Sequence, residues 1–407
     1  MSASPLLEAQ PRPSTAQVVA VLSLLLGLQP VTTDLYLPSL PSLARELGAP
    51  MAGAQLTLSA LILAFGLGQL VAGPMSDRFG RRPLLLGGLS LYVVASLSSM
   101  MAPTIDALIG ARAVQGLGLA AAIVCGRAMV RDLYEPLEGT HVMSRGQTGL
   151  GVFALASPLV GGWLAMGAGW RAALATTGLI AATGLILVLL RLPETIARKQ
   201  PDAMRPARML GNWVVIARHP AFRAWALLLL CTYGGLYTFL AGSAFVMIDV
   251  LGLSQAHYGW VVASSSASYL LGTFACRRAL ARWGIARSVT WAGFFSAAAG
   301  LSLIALTWWG SPTWWSIAAA QALFAFGHGV HQPCGQAGAV APFPAQAGAA
   351  SALSGFVLAG GAFVIGLWLG HTLKGDFWPL TLTEGVLALA TALTAWTLVR
   401  RHGDPKP

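Results

Sequence analysis

The sequence predicts an all-α integral membrane protein, with twelve transmembrane helices in two six-helix, pseudo-symmetric halves and both termini on the cytoplasmic side. Three observations carry this expectation. Only 10% of the 407 residues are charged and 56% are hydrophobic, against about 25% charged in soluble domains. The apolar residues gather into runs of about 20, the length that crosses a bilayer as a helix. Lys and Arg, finally, fall almost wholly on one side of those runs.

In order, the runs lie near 17–40, 53–74, 83–102, 105–128, 143–167, 171–190, 223–249, 257–276, 288–309, 313–335, 347–370 and 378–399. Gly and polar residues interrupt the fourth and the tenth. With the N-terminus inside, 21 of the 25 Lys and Arg face inward, Arg12, Arg127, Arg198 and Lys406 among them. Arg45, Arg171 and Lys374 face outward, and Arg112 alone lies within a span. That asymmetry is the signature by which membrane proteins are oriented. The turn "TWWGSPTWWS" agrees, since it puts Trp308, Trp309, Trp314 and Trp315 at the outer interface, where aromatic belts belong.

Several classes are excluded. The basic surplus is spread over short loops and forms no basic face with interleaved aromatics, so no nucleic-acid partner is expected. Cys125, Cys231, Cys276 and Cys334 lie in or beside apolar runs without Cys-x-x-Cys spacing, so neither a disulfide framework nor a zinc cluster is indicated. No cofactor motif is present. The first 17 residues lack the order of a cleaved signal peptide, and the first run is read as retained. A membrane-embedded enzyme, the distant alternative, would need a nucleophile–base or metal cluster; in the longest loop His219 and Glu194 stand apart.

The longest polar stretch, 191–222, divides the spans six and six. The expected organisation is an N-terminal half over 1–195, a cytoplasmic linker over 196–222 and a C-terminal half over 223–407. Arg78-Phe79-Gly80 follows span two and Arg282-Trp283-Gly284 follows span eight, 204 residues on. "QGLGLA" in span four is echoed by "AFGHGV" in span ten. Duplicated halves around a midplane site are a transporter architecture.

Six stretches carry a family likeness. "GPMSDRFGRRP" (Gly73 to Pro83) resembles the loop-two-three signature of the major facilitator superfamily, and "RAVQGLGLAAA" (Arg112 to Ala122) its span-four motif. "SPLVGG" resembles the kink motif of the proton-coupled antiporters, with Ser157 where Gly is common, followed by Pro158, Gly161 and Gly162. "TDLYLPSLP", "RAMVRDLYEP" and "AGAASALSGF" resemble the Bcr/CflA group of drug/proton antiporters within it. The likeness implies the major facilitator fold, a monomer in the bacterial inner membrane, and no metal or cofactor. It implies a proton-coupled multidrug efflux transporter exporting small hydrophobic or zwitterionic compounds by alternating access, its partners being drugs or metabolites and protons. The alternative is a proton-coupled exporter or importer of one metabolite, such as an amino acid.

Asp34 sets the central question, because a lone carboxylate in hydrocarbon costs on the order of 3 kcal/mol. It lies about 9 Å below the outer end of span one, and Arg112 at a similar depth in span four. The resemblance places spans one, four, seven and ten around the cavity. The expectation is that Asp34 faces water, that Arg112 compensates it, and that protonation from outside loosens the pair and favours inward opening; a static interhelical ion pair is the plainer reading. Tyr36 belongs to the same cavity segment. Gln115, one turn deeper than Arg112, suits either a substrate bond or helix–helix glue. Tyr233 and Tyr237, at i and i+4 of span seven, suit a wall for aromatic drugs or ordinary packing. His328 and His331, with Gln332, share a face of span ten and are further candidates for the substrate cavity, with a place near the inner cavity mouth as the plainer reading; without a third ligand they do not predict a metal site. Glu384 in span twelve is expected to reach the outer interface. By resemblance, Gly73, Asp77, Arg78, Gly80, Arg81 and Arg82 form a gating latch, with Asp77 meeting the N-terminus of span eleven and the arginines meeting Asp132, Glu135 or Glu138.

Overall fold

The computed structural model describes residues 13–196, 199–310 and 312–403; Arg12, Arg198 and Lys406 of the inward-facing set lie outside the described residues. Every regular element among them is helical. The N-terminal helices are α1 (Thr15–Asp34), α2 (Leu40–Glu46), α3 (Met51–Phe79), α4 (Arg81–Met100), α5 (Ile105–Leu133), α6 (Pro136–Gly167) and α7 (Gly169–Arg191). A linker helix, α8 (Pro206–Arg218), precedes α9 (Pro220–Ala244), α10 (Gln255–Trp309), α11 (Trp314–Val340), α12 (Ala347–Thr372) and α13 (Trp378–Thr394).

Ten stretches are long and apolar enough to cross a bilayer. One, Thr15–Glu46, joins α1 and α2 into the first pass. The longest, α10, holds 55 residues and turns at Gly284, so it is two passes. α11 is more polar because it carries Gln321, His328, His331 and Gln332; these are sheltered inside the bundle, and it crosses as well. The total is twelve, as the sequence predicts.

The duplication is visible in the backbone. Gly80, between the second and third passes, has φ 114°, and Gly284, between the eighth and ninth, has φ 74°. Side chains with a Cβ are strained at such angles, which glycine adopts freely. The flanking cations repeat too: Arg78 lies 5.2 Å from the Phe79 ring centroid and Arg282 5.8 Å from that of Trp283. The four tryptophans of the outer turn are exposed, as an interfacial belt requires.

α1 starts on a capping box, with Ser14 and Gln17 bonded to each other's backbone N–H. It stops after Asp34, and a single 3₁₀ turn, Leu37–Ser39, leads into α2. Pro38 has no N–H to offer the carbonyl of Asp34, so the ladder cannot run through. Across the molecule, α3 packs on α12 and α6 on α10, joining the two halves. Bare backbone allows the approach. A Cβ on Gly161 would collide with the carbonyl oxygen of Leu35 at the α1 break, and one on Gly259 would stand 2.5 Å from that of Pro158.

Glu384 departs from expectation. It is fully buried, and neither carboxylate oxygen has a partner among the described residues. Its register explains this: Thr381, Glu384, Ala388 and Thr391 form one buried stripe of α13, facing the α9 and α10 neighbours and not the interface. Since replacing an unsatisfied buried polar group by an apolar one is neutral or favourable, Glu384→Met is expected to hold or raise the melting temperature in detergent, and Glu384→Lys to lower it. Close packing gives a second test. A Cβ on Gly272 would strike the carbonyl oxygen of Phe326, whereas nothing stands within 4 Å of Gly87. Gly272→Val should therefore cost about 1–3 kcal/mol in thermal unfolding, and Gly87→Val should leave the transition in place.

Candidate functional site

A cavity of about 300 Å³ lies between the halves, lined by residues of both. Asp34, Thr33 and Gln29 from α1 face it, with Tyr233 and Phe239 of α9, Tyr269 of α10, and His328 and Gln332 of α11. At its inner end stand Arg127 of α5, Gln147 of α6, Gln336 of α11 and Ser351 of α12. Pro158 contributes through its missing N–H, which leaves the carbonyl of Ala154, a wall residue, outside the α6 ladder.

The expected Asp34–Arg112 pair is absent: none of the ion pairs among the described residues joins them. Asp34 accepts the Thr33 hydroxyl at 2.6 Å. Arg112, fully buried, donates at 2.8 Å to the carbonyl of Thr32 and at 2.5 Å to Gln115, with its guanidinium 4.3 Å from the Tyr36 ring centroid. The reason lies in the break of α1. Ending a helix at Asp34 strands the carbonyls of its last turn, and a cation at a helix C-terminus is the group that satisfies them. Arg112 serves the backbone beside Asp34 instead of its carboxylate.

Four other expected wall residues are packed away from the cavity. Tyr36 is buried under Arg112 with its hydroxyl 3.1 Å from that of Thr57. Gln115 donates to Ser96 at 2.7 Å and acts as helix glue. Tyr237 is bonded to Ser59 at 2.7 Å, and His331 points Nε2 at the Val289 carbonyl, 3.3 Å away. Tyr233, His328 and Gln332 do line the cavity, His328 with Nδ1 2.9 Å from the Thr232 hydroxyl. Arg127 is the residue that reading for topology overlooks: assigned to the inner rim, it faces the cavity. No group of three or more His, Cys, Asp or Glu residues able to hold a metal occurs among the described residues.

The loop 73–83 is braced inside its own half. Arg81 meets Asp77 at 2.5 Å and Asp132 at 3.0 Å, and Glu194 accepts the backbone N–H groups of Arg81 and Arg82. Asp77 is thus occupied by Arg81 and makes no hydrogen bond to α12 among the described residues. Neither Arg78 nor Arg82 pairs with Glu135 or Glu138 there. Gly73 has open space around it. The hydrogen bonds joining the halves lie toward the outer ends: Arg45–Asp249 at 2.9 Å, Gln55 to the Ala241 carbonyl at 3.2 Å, Ser59–Tyr237 at 2.7 Å and Gln255–Ser42 at 3.5 Å. The halves are thus hydrogen-bonded to each other on the outer side, and the loop 73–83 is bonded within its own half.

Two packed halves, a cavity between them and a one-sided clasp define a membrane transporter. The family model described as Major Facilitator Superfamily matches residues 22–366. Multidrug resistance protein D of Escherichia coli is 30% identical over 97% of this chain and 99% of its own. The bicyclomycin resistance protein homolog of Haemophilus influenzae is 25% identical over 96% and 98%, and a chloramphenicol resistance protein of Pseudomonas aeruginosa 30% identical over 73% and 70%. Among solved structures, a D-xylose–proton symporter superposes with TM-score 0.73 at 16% identity, covering 96% of this chain and 99% of that one. The human organic anion transporter MFSD10 gives 0.69 at 20%, covering 95% and 100%. The chain belongs to the major facilitator superfamily; it is a transporter of small molecules and not an enzyme, and it resembles the Bcr/CflA-type antiporters within that family.

The outer clasp can be weighed. Arg45 and Asp249 are exposed, with side chains 63% and 37% accessible, and such pairs are worth at most about 1 kcal/mol. Arg45→Ala is expected to speed labelling of a Thr33→Cys variant by an impermeant thiol reagent from outside by no more than about fivefold. Background labelling will be low, because the four native cysteines are buried.

Proposed function

We propose that this protein is a proton-coupled multidrug efflux transporter of the bacterial inner membrane, exporting small hydrophobic or zwitterionic compounds as a monomer. The observation that carries the reading is the cavity itself, with aromatic and aliphatic walls and, facing it, one carboxylate, Asp34. Pockets of this composition take organic molecules by apolar contact and use a few polar groups for orientation. The names of the relatives, resistance proteins for several unrelated drugs, support the same reading. We take residues 1–195 and 223–407 as the two moving halves and 196–222 as the linker between them.

Asp34 is the proposed proton carrier. It stands at the end of α1, its carboxylate bonded among the described residues only to its neighbour Thr33, and it faces the cavity where a proton from either side reaches it in turn. Arg112 is the proposed positioning residue: it holds the α1 break, and so the place of the carboxylate, without neutralising it. Protonated Asp34 permits return of the empty carrier, and a substrate arriving from inside displaces the proton. Tyr233, His328 and Gln332 are proposed substrate contacts, and the loop from Gly73 to Arg82, with Ser157, Pro158, Gly161 and Gly162 of α6, is proposed to govern how the halves rock.

The test is reconstitution into proteoliposomes beside expression in an exporter-deficient bacterium. Wild type is expected to raise tolerance to several drugs and to release protons when drug is added. Asp34→Asn should fold and lose drug-dependent proton release, and Arg112→Ala should lose transport and thermal stability together. Undiminished proton exchange in Asp34→Asn would remove that residue from coupling. Tolerance unchanged for every drug, with exchange of one metabolite intact, would favour a metabolite carrier.

A further inference from the structure

Besides Asp34, the cavity presents one other fully charged side chain, Arg127, at its opposite end. Gly126 beside it packs on Leu25 of α1, nine residues before Asp34, so the two charges are separated by about 14 Å along the helix axis. No carboxylate lies within ion-pair distance of Arg127 among the described residues. Gln147 and Gln336 line the same inner end, and Oε1 of Gln332, one turn before Gln336 on α11, is a buried acceptor without a partner among the described residues. Topology alone asks a positive charge to sit at the inner surface; it does not ask it to turn into a cavity beside glutamine amides.

We infer that Arg127 is an anion-binding subsite that takes the carboxylate of a substrate, with the amides of Gln147 and Gln336 beside it, so that the cavity selects molecules carrying a carboxylate at the inner end. A guanidinium is suited to this, since its planar fork donates two parallel hydrogen bonds to a carboxylate. Asp34 then remains available for protons or for a cationic group at the other end. Molecules with an acid at one end and an amine or apolar rings at the other match both ends. This inference rests on the reading of the cavity as the substrate site and adds to it the chemistry of the group recognised.

The test uses a matched pair of fluorescent dyes: rhodamine 110, which has a free carboxylate, and rhodamine 123, its methyl ester. Binding to the purified full-length protein in neutral detergent is followed by fluorescence anisotropy. Wild type is expected to bind both. Arg127→Gln should weaken rhodamine 110 roughly 10- to 100-fold, the span expected for a hydrogen-bonded charged group, and leave rhodamine 123 unchanged. Arg127→Lys should recover most of the loss. Equal weakening of both dyes would assign Arg127 to packing and overturn the subsite, as would no change for either. If Arg127→Gln fails to fold, benzoate decides on the wild type: it should displace rhodamine 110 and spare rhodamine 123, and displacement of both or neither overturns the proposal. A wild type that binds neither dye would overturn the substrate cavity itself, a failure distinct from loss of the subsite alone.

Discussion

The organisation of the N-terminal half depends on how a helix can end inside a membrane. Hydrocarbon supplies no water to the carbonyls left open at a helix C-terminus, and α1 breaks off at Asp34, well within the bundle. Arg112 resolves this with one side chain, donating to the Thr32 carbonyl while its own charge is spread against the face of Tyr36 and the amide of Gln115. Tyr36 in turn reaches Thr57 on α3, and Gln115 reaches Ser96 on α4. Three other helices, α3, α4 and α5, are thereby tied to the break, and the carboxylate beside it faces the cavity.

This division of labour changes how the intramembrane charges are understood. A carboxylate neutralised by a guanidinium would be bound on both sides of the transport cycle and slow to exchange. A carboxylate held by the neighbouring Thr33 hydroxyl and by no cation among the described residues responds to whatever enters the cavity. The same economy operates in the inner loop, where Arg81 bridges Asp77 and Asp132 and Glu194 caps the turn at Gly80. These contacts stiffen one half internally. Among the described residues, the hydrogen bonds between halves are few, lie toward the outside and include an exposed ion pair of small worth. Halves that are braced within and joined mainly by apolar and backbone packing can change their relative tilt without unfolding.

Glycine and proline set the geometry in which this happens. Gly161 brings α6 against the α1 break and Gly259 brings α10 against α6, so the backbone around the cavity is close-packed on both sides. Pro158 and Pro38 each remove an N–H group from the backbone ladder, as do Pro30, Pro74 and Pro333. Gly161, Pro158 and Pro38 stood in sequence motifs before they were contacts; Gly259 did not.

The sequence by itself determined the number of passes, their orientation, and the repeat that pairs Gly80 with Gly284, because length, charge placement and internal echo are local properties of the chain. It also singled out Asp34 and Arg112, since charges in apolar runs are conspicuous. Which way the polar side chains turn was decided only in the tertiary structure. A helix that is apolar all round carries no preferred face, so nothing in the chain distinguished Tyr233, which reaches the cavity, from Tyr237, one turn on, which is bonded to Ser59. For the same reason Glu384 was assigned to an interface it does not reach, and Arg127 to a rim it does not stay on. Those directions come from the neighbours each helix meets, and neighbours are a property of the folded bundle.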